Sequence, residues 1–243
     1  MEASDNAAFR DDARAVYASL RAPLFAFVSA QFLQIPDAGF VSGMLTDEFI
    51  GIMEDATGEQ AVDGQIREGL NLIAVYLRDA QEKDLGAVLD ELGVDRTRLY
   101  RGLAANYGPR APYETLWLYP DYSNNTILQE LAEEYRLSGK SFSQDAHDRP
   151  DYLGIELRYY TSLIEDEAEL TPEDGDGSAS EEYRDLRARQ QGFLQKHLIR
   201  WAPFFIQAAL PEARTAFYRG HLIVLQALLD LESELFKKPE DRI

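Results

Sequence analysis

The chain of 243 residues contains no cysteine. Disulfide staples, thiolate zinc sites, iron–sulfur ligation and a cysteine nucleophile are therefore excluded. Histidine is nearly as scarce, with three residues, His147, His197 and His221. A di-iron helical bundle needs Glu-x-x-His pairs, which set two ligands on one helix face. The residues three before each histidine are Gln144, Leu194 and Tyr218, so that pattern is missing, as is HExxH, and no metal site is expected. No apolar run approaches the roughly 18 residues of a membrane span. Lysine occurs at five positions only, and no Lys/Arg cluster suited to a nucleic-acid backbone appears. The start, Met1-Glu2-Ala3-Ser4-Asp5, lacks the basic segment of a secretory signal, which leads to the expectation of a cytoplasmic protein.

What remains is acidic and helical. The net charge is −19. Such a surface keeps a protein soluble, would attract a basic partner, or marks adaptation to salt. Alternation of β-branched residues, the strand signal, is almost absent. Three- and four-residue apolar steps recur instead. They predict helices over 7–33, with a kink near Pro23, and over 40–55, with Phe40, Met44, Phe49, Ile50 and Met53 inward. Another covers 60–81, with Ile66, Leu70, Ile73 and Leu77 inward. A short helix at 83–92 should stop at Gly93, and Asp95 reads as the N-cap of a segment at 96–104. Residues 106–121 read as an irregular, aromatic connection. Ser123 or Asn124 should cap a helix to Leu137, closed by Gly139. Pro150 fits the first position of a helix running to about 165. Residues 165–182 are rich in Glu, Asp, Gly, Ser and Pro and read as a disordered acidic insert. Two long apolar helices, 183–209 and 212–236, complete one all-α domain of about ten helices spanning 1–243.

No nucleophile elbow or other enzymatic constellation is visible, and isolated carboxylates are expected at this composition. The chain is read as a non-enzyme without cofactor.

One ordered set of segments is more specific. Asp95, Thr97, Arg98, Leu99, Tyr100 and Gly102 form one. Pro112, Tyr113, Glu114 and Thr115 form a second, and Tyr135, Arg136 and Gly139 a third. Pro150, Asp151, Glu156 and Leu157 follow, then Phe193-Leu194, His197-Leu198, Trp201 and Pro203, and finally Phe217-Tyr218. With a looser match at Arg14, Tyr17 and Leu20, this series resembles the TorD/DmsD/NarJ family of cytoplasmic chaperones that mature molybdenum oxidoreductases. Tyr152 stands where that family has a histidine after Pro-Asp. The resemblance implies a TorD-like helical fold, with Arg98, Leu99, Tyr100, His197 and Trp201 as family-motif residues. It also implies a partner, a molybdenum oxidoreductase catalytic subunit or its twin-arginine signal peptide, whose cofactor insertion and assembly the chaperone assists before export.

Recognition of such a leader needs carboxylates to pair guanidinium forks and aromatics to cover an apolar helix. Glu114 and Asp151 are the candidates for arginine pairing. Tyr113, Trp117 and Tyr152 are candidate groove walls, with Pro150 and Glu156 beside them. Core packing for the aromatics and a helix-dipole role for Asp151 remain open, and Glu156 could pair with Arg158 or Arg98 or face solvent. Two other readings stand beside this one: a NarJ-like assembly factor whose client has no leader, and a generic helical interaction module. Guanine-nucleotide binding finds no P-loop or base-reading segment to support it. The chain could be a monomer or a domain-swapped dimer.

Overall fold

The computed structural model describes residues 20–58, 62–102, 107–119, 126–140, 149–170 and 181–237. Among them there are helices and no strand, and a single two-residue bridge joins Tyr113 to Tyr152. The chain is all-α, as its patterning predicts. None of the described helices is long and apolar enough to cross a membrane.

Helix α1 occupies 20–33 and passes through Pro23 without a break. Of the predicted opening helix, everything before residue 20, including Arg14 and Tyr17, lies outside the described residues. The single helix expected at 40–55 is two, α2 (Ala38–Met44) and α3 (Asp47–Gly58). The break follows from Thr46, whose hydroxyl accepts the Phe49 amide at 3.2 Å and starts a new helix. Met44, Ile50 and Met53 are buried, whereas Phe40 and Phe49 are half-buried.

Helix α4 (Gly64–Gln81) begins on Asp63, whose carboxylate accepts the Gln65 and Ile66 amides. Its stripe Ile66, Leu70, Ile73 and Leu77 is fully buried against α11 (Ala216–Leu235). The two helices cross backbone to backbone: a methyl group on Gly69 would sit 2.6 Å from the Gly220 carbonyl oxygen.

Helix α5 (Leu85–Tyr100) runs unbroken through Gly93, which corrects the two short helices expected there. Asp95 does cap a helix, but a distant one. Buried in the middle of α5, its carboxylate accepts the Arg214 and Thr215 amides and the Thr215 hydroxyl at 2.8–3.1 Å. It thereby pins the start of α11.

The aromatic connection contains a short helix, α6 (Glu114–Leu118). Helix α7 (Thr126–Leu137) closes on Gly139 at φ +68°. There the Lys140 amide reaches the Tyr135 carbonyl and the Gly139 amide that of Arg136, the paired bonds of a Schellman end. The caps expected at Ser123 and Asn124 lie outside the described residues. Helix α8 (Leu153–Leu170) starts three residues after Pro150, which sits in the preceding turn instead of the first helical position. It also extends into the acidic stretch, so 165–170 are helical, and α9 (Glu181–Phe193) takes up 181–182. The rest of that stretch, 171–180, lies outside the described residues.

Helix α9 passes through a π turn (Leu194–Leu198), where the Ile199 amide bonds the Leu194 carbonyl, into α10 (Ile199–Ala209). A 3-10 turn, Leu210–Glu212, then leads to α11.

Candidate functional site

The separate sequence segments meet where α6, the start of α8 and the π turn come together. Residues 112–114 run antiparallel to 151–153. The Leu153 amide donates to the Pro112 carbonyl and the Glu114 amide to the Asp151 carbonyl, each at 2.9 Å. This short ladder places three carboxylates, Glu114, Asp151 and Glu156, in one region, and all three are fully buried.

Asp151 is an N-terminal cap for α6. Its Oδ2 accepts the Thr115 amide at 3.2 Å and the Thr115 hydroxyl at 2.6 Å. The guanidinium of Arg149 closes on both oxygens, Nε to Oδ1 at 3.0 Å and Nη2 to Oδ2 at 2.8 Å. The same guanidinium lies over the Tyr113 ring, 5.1 Å from its centroid, a cation–π contact. The arginine that Asp151 holds is thus two residues away in its own chain.

Glu114 accepts from His197 Nδ1 at 2.9 Å through Oε2, while its Oε1 is buried without a partner. Glu156 has the same asymmetry. Its Oε2 accepts the Trp201 indole N–H at 3.2 Å and its Oε1 is buried and orphaned. It pairs with neither Arg158 nor Arg98 and does not face solvent. Burial pushes the carboxyl of Glu156 well above the usual range, and the neighbouring Glu114 adds to it. Burial raises Glu114 too, opposed in part by His197.

Tyr152, in the position of the family's histidine, is buried. Its hydroxyl donates to the Phe32 carbonyl at 3.0 Å, and its ring lies 5.1 Å from that of Tyr113. The Pro150 carbonyl accepts from Tyr135 at 2.9 Å. Trp117 donates to the Ala111 carbonyl at 3.1 Å and sets its ring edge against Phe205. Tyr113, Trp117 and Pro150 keep partial exposure. They form the outer rim over the buried carboxylates.

The other family-motif residues are elsewhere. Arg98 pairs with Glu212 and covers the Tyr107 ring. Leu99 is core. Tyr100 donates to His221 Nδ1 at 3.0 Å, and His221 Nε2 donates to the Val28 carbonyl at 3.1 Å. A carbonyl only accepts, so the proton sits on Nε2. His147 lies outside the described residues. Among those described, no group of three or more Asp, Glu or His is arranged to hold a metal ion.

Arg149 and Thr115, which complete the Asp151 cap, were not singled out from sequence as its partners. The available signal was local, an arginine two residues before the aspartate.

A family model described as nitrate reductase delta subunit matches residues 59–207. That is more than half of the chain, and it contains α4 through α9 and most of α10. The chain belongs to the nitrate reductase delta subunit family. A comparison with curated proteins finds no match. For a delta-subunit-family chain, the span matters as much as the match. It takes in every element of the carboxylate hub, Glu114 and Asp151 through His197 and Trp201. The α11 residues Phe217 and Tyr218 lie beyond it.

Proposed function

We propose that this chain is a maturation chaperone that holds the catalytic subunit of a nitrate reductase-type molybdenum enzyme while its cofactor is inserted. The family match over 59–207 carries this reading. The client surface would be the half-exposed rim of Tyr113, Trp117 and Pro150 with Arg149. The buried carboxylates of Glu114, Asp151 and Glu156 would position that rim without touching the client.

Between recognition of a twin-arginine leader and recognition of the subunit itself, burial favours the second. An incoming guanidinium cannot reach Asp151 unless Arg149 leaves, and Glu114 is fully buried, with one of its oxygens already on His197. The acidic surface would still speed the approach of any basic segment.

A chaperone must prefer the immature client, or it never lets go. The test is capture of the purified catalytic subunit, cofactor-free and cofactor-loaded, by the tagged chain. Retention of the cofactor-free form alone supports the proposal. Equal retention of both, or of neither, sinks it. Titration with a peptide copying the subunit's N-terminus, at low and high salt, separates the two modes of recognition.

A further inference from the structure

The walls of α7 and α9 that face each other across open solvent carry opposite charge. Between them runs a groove of about 450 Å³. Glu130, Glu133 and Leu137 line it from α7, at the spacing of one helix face. Arg189 and Lys196 line it from α9 and the π turn, with Gly192 between them. A Cβ on Gly192 would meet nothing within 4 Å, so the floor has room there for a side chain. Leu137, at the groove edge, is 63% exposed. Among the described residues Glu130, Arg189 and Lys196 enter no ion pair, and Glu133 pairs only with Arg136 of its own helix.

We propose that this groove is the surface through which two copies of the chain associate about a two-fold axis, α7 of each lying along α9 of the other. A two-fold contact must be complementary to itself. An acidic and a basic wall side by side meet that condition: the acids of one copy face the bases of its partner, and the reverse. Leu137 of each copy then covers the open space above Gly192 of the other. A uniformly basic or uniformly acidic partner would match one wall and oppose the other. The net charge of −19 on each copy works against association at low salt. At physiological ionic strength charges beyond about 8 Å are screened, which leaves the facing pairs in the groove to act. Dimerisation is therefore weak, concentration-dependent and lost as salt is removed.

Sedimentation equilibrium on the full chain, from micromolar to several hundred micromolar, tests this with two charge-reversed variants. One carries Glu130→Lys and Glu133→Lys, the other Arg189→Glu and Lys196→Glu. All four side chains are exposed, so far-ultraviolet circular dichroism is expected to be unchanged. Each variant alone should dimerise at least tenfold more weakly than the parent. Mixed in equal amounts they should form a one-to-one heterodimer, since every facing pair is then opposite in charge. Gly192→Trp, which fills the groove, should abolish the parent's association. A parent that stays monomeric throughout, variants that dimerise like the parent, or a mixture that stays monomeric would each overturn the proposal. A domain-swapped dimer would give the second of these results.

Discussion

Two buried residues titrate in opposite directions, and the signs can be separated by mutation. Glu156 holds its proton more tightly folded than unfolded. Its stabilising contribution is complete below the ordinary glutamate range and is lost as pH rises through the raised folded value. Gln has no charge to bury, and its carbonyl can still accept from Trp201. Glu156→Gln should therefore raise the urea midpoint at pH 8 and leave it nearly unchanged at pH 4.5. A lower midpoint at pH 8 would mean that Glu156 is ionised and useful there. His221 behaves the other way. Burial lowers it from 6.5 to about 4, against the pull of the Val28 carbonyl. Its stability is present above pH 6.5 and is lost as pH falls towards 4, about 3 kcal/mol over the window at 1.36 kcal/mol per pH unit. His221→Leu should flatten that part of the stability profile. Neither sign could be read from the sequence. Glu156 sits in an ordinary helical spacing, and its depth depends on where Trp201, 45 residues on, comes to rest. The identities of the hub residues were legible; their burial was not, because a carboxylate that caps a helix and one that meets a ligand look alike in one dimension.

At the scale of elements, apolar periodicity gave α4, α7 and α11 nearly to their ends, since α4 and α7 each bury one stripe and α11 is buried over most of its surface. Two of the errors fell at a glycine and an aspartate, where a local preference and a tertiary contact compete. Gly93 was read as a stop, yet α5 continues through it, and its Cβ position is open. Gly93→Ala should stabilise the fold by about 1 kcal/mol, the usual helix-interior gain. Gly69 is also helical, but there a methyl would press on the Gly220 carbonyl and on Val224. Gly69→Ala should cost about 1–3 kcal/mol through overpacking, despite the same gain in propensity. Thermal melts of the two variants decide this: shifts of the same sign would contradict the close crossing of α4 and α11. Asp95 shows the same competition. Its capping chemistry was correctly read, but the amides it caps belong to α11, about 120 positions away. Asp95→Ala should cost roughly 2 kcal/mol from the lost cap and the buried donors it leaves unmet. Asp95→Asn, which keeps an acceptor, should recover part of that loss in the same denaturation experiment.

For the whole molecule, closure depends on one buried cation. Arg21 on α1 donates from Nε and Nη2 to the two oxygens of Glu232 on α11, each at 2.7 Å, and from Nη1 to Glu167 on α8 at 2.7 Å. Gln190 on α9 also donates to Glu167, and Tyr160 donates to Glu232 at 2.5 Å. Four helices, drawn from both ends of the chain, thus share one hydrogen-bonded network. Its central pair spans 211 positions, a separation that no local pattern reports. Arg21 itself falls in a helix whose apolar spacing gave no reason to single it out. The energetics separate what the pair costs from what breaking it costs. Two buried charges can be worth no more than apolar groups of the same size, but one left alone is expensive. Arg21→Met takes from the fully buried Glu232 the guanidinium that both its oxygens accept from, and should cost about 3–5 kcal/mol. Adding Glu232→Leu removes the buried charge that Arg21 had balanced, so the double variant should be more stable than Arg21→Met alone. A urea double-mutant cycle measures this directly. If the two losses simply add, the network contributes nothing beyond its separate parts, and α1 must be held to α11 by its apolar packing together with the His221–Val28 hydrogen bond.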